Sequence, residues 1–193
     1  GPWLPAGSAH PLSGGKYTTM EGGHRVPAII RWPGRIPEGQ VNDQLASSLD
    51  ILPTIAAAAG ATLPVDRKYD GFDLLPSLEG TTAKSPRREF AYYNGITLEA
   101  DRRGPWKLHL PRQAADRVYW ARQPKKMYLN LDHALLNNLA DDLAEKRDLT
   151  ETNPTQAKEL QKLAEDTRNE LGDWDRDGTD RPEFTYPGNL NSP

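Results

Sequence analysis

The sequence contains no cysteine, which excludes disulfides and thiolate-ligated metal centres. That absence leaves the compartment open, since secreted proteins also do without disulfides. No run of about 18 apolar residues occurs, so no segment reads as a membrane-spanning helix. The longest uncharged apolar stretch, Ile51 to Leu63, carries Pro53 and Gly60. Charge excess is missing as well: 24 basic against 27 acidic residues give a formal net charge of −3. A nucleic-acid partner drawn by overall positive charge is therefore not expected. Apolar residues are few, at 36% of 193, which allows a core but a modest one. The chain opens on Gly1-Pro2, without methionine or a signal-type apolar region, as a processed or artificial terminus or a piece of a longer protein would. No internal repeat is visible.

What is abundant is punctuation, with 17 prolines and 16 glycines. They concentrate around Ser13 to Gly34, which reads S-G-G-K-Y-T-T-M-E-G-G-H-R-V-P-A-I-I-R-W-P-G. Two glycine pairs flank a lone Lys16, and glycine pairs suit a backbone that turns sharply or passes close to another group. A lysine in such a loop offers a compact cation with three donors, suited to a tetrahedral oxyanion; the bland alternative is a solvated lysine between turns. Glu21 reads as an anchor for the glycine turn through backbone N–H groups rather than as a base. Gly1 to Gly15 reads as loop, in which His10 is a candidate to face a substrate, and His24 reads as structural.

Val26 to Trp32 is a near-continuous apolar run, the pattern of a strand covered on both faces in a parallel sheet. Asp50 is a candidate N-cap for an apolar helix, Ile51 to Ala59, with Gly60 just past its end. Asp70 to Gly80 should hold a short helix. Thr81 to Arg88 is polar and basic and marks a boundary, after which the periodicity falls to two. Phe90 to Tyr93, Leu98 to Asp101 and Trp106 to Leu110 read as strands, the last two joined as a hairpin. Trp106, Leu108 and Leu110 alternate with Lys107 and His109, which predicts a sheet with one buried face. Asn153, Pro154 and Gln156 predict a capping box opening a helix. Its stripe of Ala157, Leu160, Leu163, Ala164, Thr167 and Leu171 ends at Gly172.

The pattern G-K-x-T-T-x-E-G-G-x-R-x-P, Gly15 to Pro27, followed by an apolar strand ending in W-P-G, resembles the second signature region of the type I sulfatases. Further matches follow in that family's order: L-A-S-S-L-D-I-L-P-T-I-A-A-A-A-G at Leu45 to Gly60, D-G-F-D-L-L-P-S-L at Asp70 to Leu78, G-P-W-K-L-H-L at Gly104 to Leu110, and L-L-N-N-L-A-D-D-L-A-E-K-R-D-L at Leu135 to Leu149. The resemblance covers about Gly1 to Gly172. It implies an α/β chain, the C-terminal part of an alkaline-phosphatase-like fold, followed by a small antiparallel sheet with a packed helix. Residues 1–80 would belong to the catalytic domain, 81–172 to the sheet-and-helix subdomain, and 173–193 to an irregular tail.

The family's chemistry is formylglycine-dependent hydrolysis of sulfuric esters, with a calcium ion polarising the ester. The resemblance transfers one catalytic and sulfate-binding residue, Lys16. Gly1-Pro2 resembles the dipeptide that follows the family's Asp-Asn metal-ligand pair. The formylglycine nucleophile and the calcium ligands would then lie upstream of Gly1, and no metal site is expected within this chain. The chain's partner would be the missing N-terminal portion, and alone it should be inactive. The x-P-x-R run Ser85-Pro86-Arg87-Arg88 has Lys84 in the nucleophile slot, and lysine cannot become formylglycine, so the match is a coincidence. The resemblance also implies a periplasmic, extracellular or lysosome-like compartment.

Two further segments invite functional readings. Arg112 to Lys126 holds five basic residues against one acidic, with Tyr119 and Trp120. It is either a solvated loop or a contact surface for a sulfated glycan. Asp173, Asp175, Asp177 and Gly178 open like a calcium loop, but Phe184 fills the twelfth position and Pro182 replaces the exiting helix. The expected substrate is a sulfate monoester, free or on a glycan. The alternatives are a phosphoryl or phosphonate hydrolase of the same superfamily and a non-catalytic sulfated-glycan-binding module.

Overall fold

A computed structural model describes residues 8–113 and 130–180. Most of the Arg112 to Lys126 segment, Glu183, Phe184 and the end of the tail lie outside those residues. The chain forms two compact units. One joins residues 1–25 to 91–193, and the other spans residues 26–90.

The first unit is built on a four-stranded sheet in chain order: β1 (Glu89–Asn94), β2 (Thr97–Arg103), β3 (Trp106–His109) and β4 (Leu135–Asn138). β2 and β3 pair antiparallel with Arg103 opposite Trp106, so Gly104-Pro105 is the hairpin turn the sequence predicts. β3 and β4 pair antiparallel with Leu108 opposite Leu136. α4 (Pro154–Leu171) packs on β2 and β3. Its Ala157, Leu160, Leu163 and Ala164 close a core with Leu98, Leu108, Leu110, Ala134 and Leu136. Each fully buried leucine there contributes about 1.5–3 kcal/mol of transfer free energy. A two-stranded hairpin, β5 (Gly172–Asp173) with β6 (Arg176–Asp177), follows the helix.

The helix start departs from the sequence expectation. Asn153 is the N-cap but makes no side-chain cap hydrogen bond. The Thr152 hydroxyl donates to its side-chain oxygen at 3.0 Å, and the Gln156 amide turns to Glu159. The capping box fails because both side chains have nearer polar partners.

The sheet also differs from the one-sided reading. Lys107 and His109 project away from the Leu108 and Leu110 face, yet Lys107 is fully buried and His109 is 2% exposed. Their face is covered by the Lys16 loop, by the short helix α1 (Glu21–His24) and by the turn after β4. A polar residue in an alternating strand reads as solvent-facing only where nothing polar covers it.

The second unit is organised by one buried ion pair. Arg87 donates through Nε and Nη2 to both oxygens of Asp50, at 2.9 and 2.6 Å. Its Nη2 also reaches the Asp70 carbonyl at 2.7 Å, and its guanidinium lies 4.9 Å from the Phe72 ring centre. Asp50 accepts further from the Phe72 and Ser47 backbone N–H groups, both at 2.8 Å. Burial alone would raise the Asp50 carboxyl, but the Arg87 hydrogen bonds and the two backbone donors hold it below the usual range. Asp50 thus holds the N-cap position of α2 (Ile51–Ala58) without making a side-chain cap hydrogen bond there. It closes a capping box with Ser47 around the 3-10 turn Ser48–Asp50. The helix does end at Gly60, where Ala61 N–H bonds to the Ala56 carbonyl. The short helix near Asp70 is α3 (Leu75–Leu78).

Val26 to Trp32 is not a strand. It runs without sheet pairing, and Val26 and Ile29 are 78% and 96% exposed. Ile51, Leu52 and Ile55 on α2 are also more than half exposed. A doubly covered strand needs neighbours on both edges, and no described strand pairs with this segment.

Candidate functional site

The Lys16 loop is shaped by its glycines. A Cβ on Gly22 would sit 2.5 Å from the Ser13 carbonyl oxygen, and one on Gly23 would sit 2.1 Å from that of Thr18. Only glycine lets α1 lie this close against the loop it follows. Gly22 N–H then bonds to the Ser13 carbonyl at 2.8 Å, and Thr18 N–H closes the turn onto Gly15 at 3.0 Å. The Thr18 hydroxyl adds a bond to the same Gly15 carbonyl at 2.8 Å.

At the tip of this closed loop Lys16 is exposed. Its ammonium lies 5.1 Å from the Tyr17 ring centre and makes no ion pair among the described residues. Tyr17 takes a φ of 72°, a left-handed conformation unusual for a bulky residue. His10 is exposed too, and its backbone N–H bonds to the Ser8 hydroxyl. No contact joins His10 to Lys16. His24 is structural in geometry: its Nδ1 lies 3.0 Å from the Thr18 carbonyl and its ring meets Tyr92 edge-on at 5.1 Å. Burial, and then the charge of Lys107, lower its pKa.

Beneath the loop lies a buried charge cluster. Lys107 Nζ donates to the Thr19 carbonyl at 2.7 Å and to Glu21 Oε1 at 3.0 Å, and forms an ion pair with Glu145 Oε1 at 2.9 Å. It also stands 4.0 Å from the Tyr92 ring centre. The Tyr92 hydroxyl donates to Glu21 Oε1 at 2.9 Å, and Arg102 reaches Glu21 Oε2 at 3.5 Å. His109 Nε2 lies 2.8 Å from Glu145 Oε1. Since a carboxylate only accepts, that nitrogen carries the proton. The Thr19 hydroxyl donates to Glu99 Oε2 at 2.8 Å.

Glu21 therefore does not anchor the glycine turn through backbone N–H groups, as the sequence suggests. Its carboxylate is taken by Lys107, Tyr92 and Arg102, and it is the Glu21 N–H that is held, by Glu145 Oε2 at 2.6 Å. Burial would raise both carboxyls. Lys107 and Tyr92 bring Glu21 below its usual range, and His109 and Lys107 bring Glu145 down to about 2. Burial depresses His109, whose Nδ1 has no partner among the described residues. A second proton would be placed there without an acceptor among the described residues, which disfavours the charged ring.

The sign of the pH effect follows. His109 is lowered from 6.5, so its contribution is complete above that value and is lost as pH falls below it. Glu145 adds a second loss from 4.5 toward about 2. The thermal midpoint of the first unit should start to drop as pH falls through about 6.5, before ordinary carboxylates titrate, with the lowered His24 adding to the same limb. His109→Gln, which keeps an N–H donor but does not titrate, should flatten that limb. An equally steep limb in the variant would remove His109 from the explanation.

Cation-site readings gain nothing from the geometry. Asp173 spends its carboxylate on the Leu98 and Trp174 N–H groups and on Arg168 Nε, while Asp175 pairs with Arg176. Among the described residues no group of three or more His, Asp or Glu could hold a metal ion. In the Ser85-Pro86-Arg87-Arg88 run, the Ser85 hydroxyl donates to the Leu45 carbonyl, and Arg87 is the buried partner of Asp50. No helix among the described residues is long and apolar enough to cross a membrane.

Comparison with known proteins fits this picture. The sequence profile of the Sulfatase family matches residues 4–61. Arylsulfatase G of Rattus norvegicus is 33% identical over 204 aligned residues, covering 96% of this chain and 38% of the relative. N-acetylgalactosamine-6-sulfatase of Canis lupus familiaris is 48% identical over 103 residues, covering 53% of this chain and 19% of the relative. Among solved structures, a sulfatase from Pseudoalteromonas sp. aligns at TM-score 0.63 and 29% identity, over 82% of this chain and 33% of its own. A structure from work on glycosaminoglycan metabolism by Bacteroides thetaiotaomicron aligns at TM-score 0.64 and 34% identity, over 80% of this chain and 31% of its own. The chain thus spans about a fifth to two fifths of the curated relatives it matches. The phosphoryl-transfer and glycan-binding-module alternatives draw no support from these likenesses.

Proposed function

Because the chain belongs to the sulfatase family, we propose that it forms one part of a sulfuric ester hydrolase and supplies Lys16 as a sulfate-contacting cation. The observation that carries this reading is the Lys16 ammonium, exposed and unpaired among the described residues, on a loop fixed from beneath. Such a donor hydrogen-bonds a non-bridging sulfate oxygen and offsets charge that grows as the ester S–O bond breaks. Its pre-set position costs little reorganisation at the moment of reaction. His10 remains a candidate for substrate contact.

Formylglycine and calcium belong to this proposal only as components from outside the described residues, which offer neither an oxidisable nucleophile in the family's motif nor a metal cluster. The substrate class is a sulfate monoester, including those carried on glycans, in a periplasmic, extracellular or lysosome-like setting.

The test is a pair of assays on the complete protein, with an aryl sulfate and an aryl phosphate. Sulfate release should dominate, and these 193 residues alone should release none. Preferred phosphate release by the complete protein would contradict the proposal, as would metal-dependent sulfate release by this chain alone.

A further inference from the structure

We propose that the turn containing Ala144 and Glu145, which follows β4, is a two-point clamp that positions Lys16 for the reaction. The inference rests on Lys16 being the sulfate-contacting cation. The turn reaches the Lys16 loop at both ends. Before Lys16, the Ser13 hydroxyl donates to the Ala144 carbonyl at 2.5 Å. After it, the Glu21 N–H donates to Glu145 Oε2 at 2.6 Å. Between these anchors, Lys107, itself paired with Glu145, holds the Thr19 carbonyl. More than 120 residues of sequence separate each pair of anchors, so part of the loop's support comes from distant sequence.

The turn is built to be rigid. Asp142 Oδ2 accepts from the Lys146 and Arg147 N–H groups at 2.7 and 2.8 Å, and the Asn137 side chain ties the Arg147 carbonyl back to β4 at 2.7 Å. Glu145 itself has φ 53°, in the left-handed region where glycine would be easier. A glutamate held there, with its side chain fully buried, spends local backbone free energy to aim a carboxylate. What it aims at is the backbone beside Lys16. Ser13, Ala144 and Glu145 act on Lys16 through the loop backbone, so they are positioning residues.

Positioning through Lys16 has a signature that general stabilisation lacks: the effect should vanish when Lys16 is absent. The experiment is a double-mutant cycle in the complete enzyme, with steady-state kinetics on an aryl sulfate and a thermal midpoint for each variant. Ser13→Ala should lower kcat roughly 10-fold with KM changed less than about twofold, because a displacement near 1 Å of a charge-stabilising group is costly. Ser13→Thr, which keeps the hydroxyl, should restore most of it. Glu145→Gln should behave like Ser13→Ala with a larger loss. In a Lys16→Ala background neither substitution should cost more than about twofold further.

Losses that repeat undiminished without Lys16 would overturn the clamp while leaving the role of Lys16 standing. Full activity in both Ser13→Ala and Glu145→Gln would do the same. Near-normal turnover in Lys16→Ala alone would instead remove the reading on which the clamp rests.

Discussion

Lys16→Ala in the complete enzyme should leave folding intact and lower turnover about 10²–10³-fold, the usual loss for one preorganised charge-stabilising donor. Folding should survive because the side chain is exposed and its described contact is the neighbouring Tyr17 ring. The loop is held by its backbone and by Ser13, Thr18, Thr19 and Glu21, none of which the substitution touches. Lys16→Arg should recover little, since a planar fork does not replace a compact ammonium at a tetrahedral group. Turnover within about threefold of wild type in Lys16→Ala would remove the residue from the mechanism.

Lys107→Met should be the most destabilising substitution in the sheet. It leaves Glu21 and Glu145, both buried, facing each other without the ammonium that serves them. Removing one member of a buried ion cluster typically costs about 3–5 kcal/mol, most of it the desolvation of the charges left behind. Arg102 and His109 remain, but Arg102 reaches Glu21 only at 3.5 Å and burial disfavours the charged form of His109. Neutralising the stranded carboxylates as well, in Lys107→Met/Glu21→Gln/Glu145→Gln, should return part of the loss. Denaturant midpoints of the two variants measure this. A single-variant loss below about 1 kcal/mol would mean that the cluster is far better hydrated than its burial indicates.

These two lysines show what the sequence discloses and what it hides. Lys16 stands out because glycine pairs, threonines and a glutamate surround it in a fixed pattern, and local pattern is what a linear reading detects. Lys107 has an equally local pattern, alternation with Trp106 and Leu108, and there the pattern misleads. Alternation separates two faces but does not say whether the second is covered. The cover comes from Thr19, Glu21 and Glu145, distant in the chain.

The same limit hides the role of Asp50. A helix-capping site is legible from Asp50 and Pro53, but Arg87, 37 residues on, takes the carboxylate instead. The hairpin at Gly104-Pro105 and the apolar stripe of α4 were legible because each is completed by residues close in sequence. Glu145 sits inside a segment of family-like sequence without any mark of its function. Its one distinguishing feature, a left-handed backbone, is invisible until the turn is built. Val26 to Trp32 carries the composition of a buried strand, while the neighbours that would make it one are absent from the described residues.

The most direct test is a crystal structure of the complete enzyme with inorganic sulfate bound, read at the distance from Lys16 Nζ to the nearest sulfate oxygen. A separation of about 2.7–3.0 Å is expected, the length of a charge-assisted hydrogen bond, with Ser13 still on Ala144 and Glu21 N–H still on Glu145. A sulfate bound in the catalytic cleft with Lys16 more than about 6 Å away, beyond direct contact or a single bridging water, would contradict the assignment.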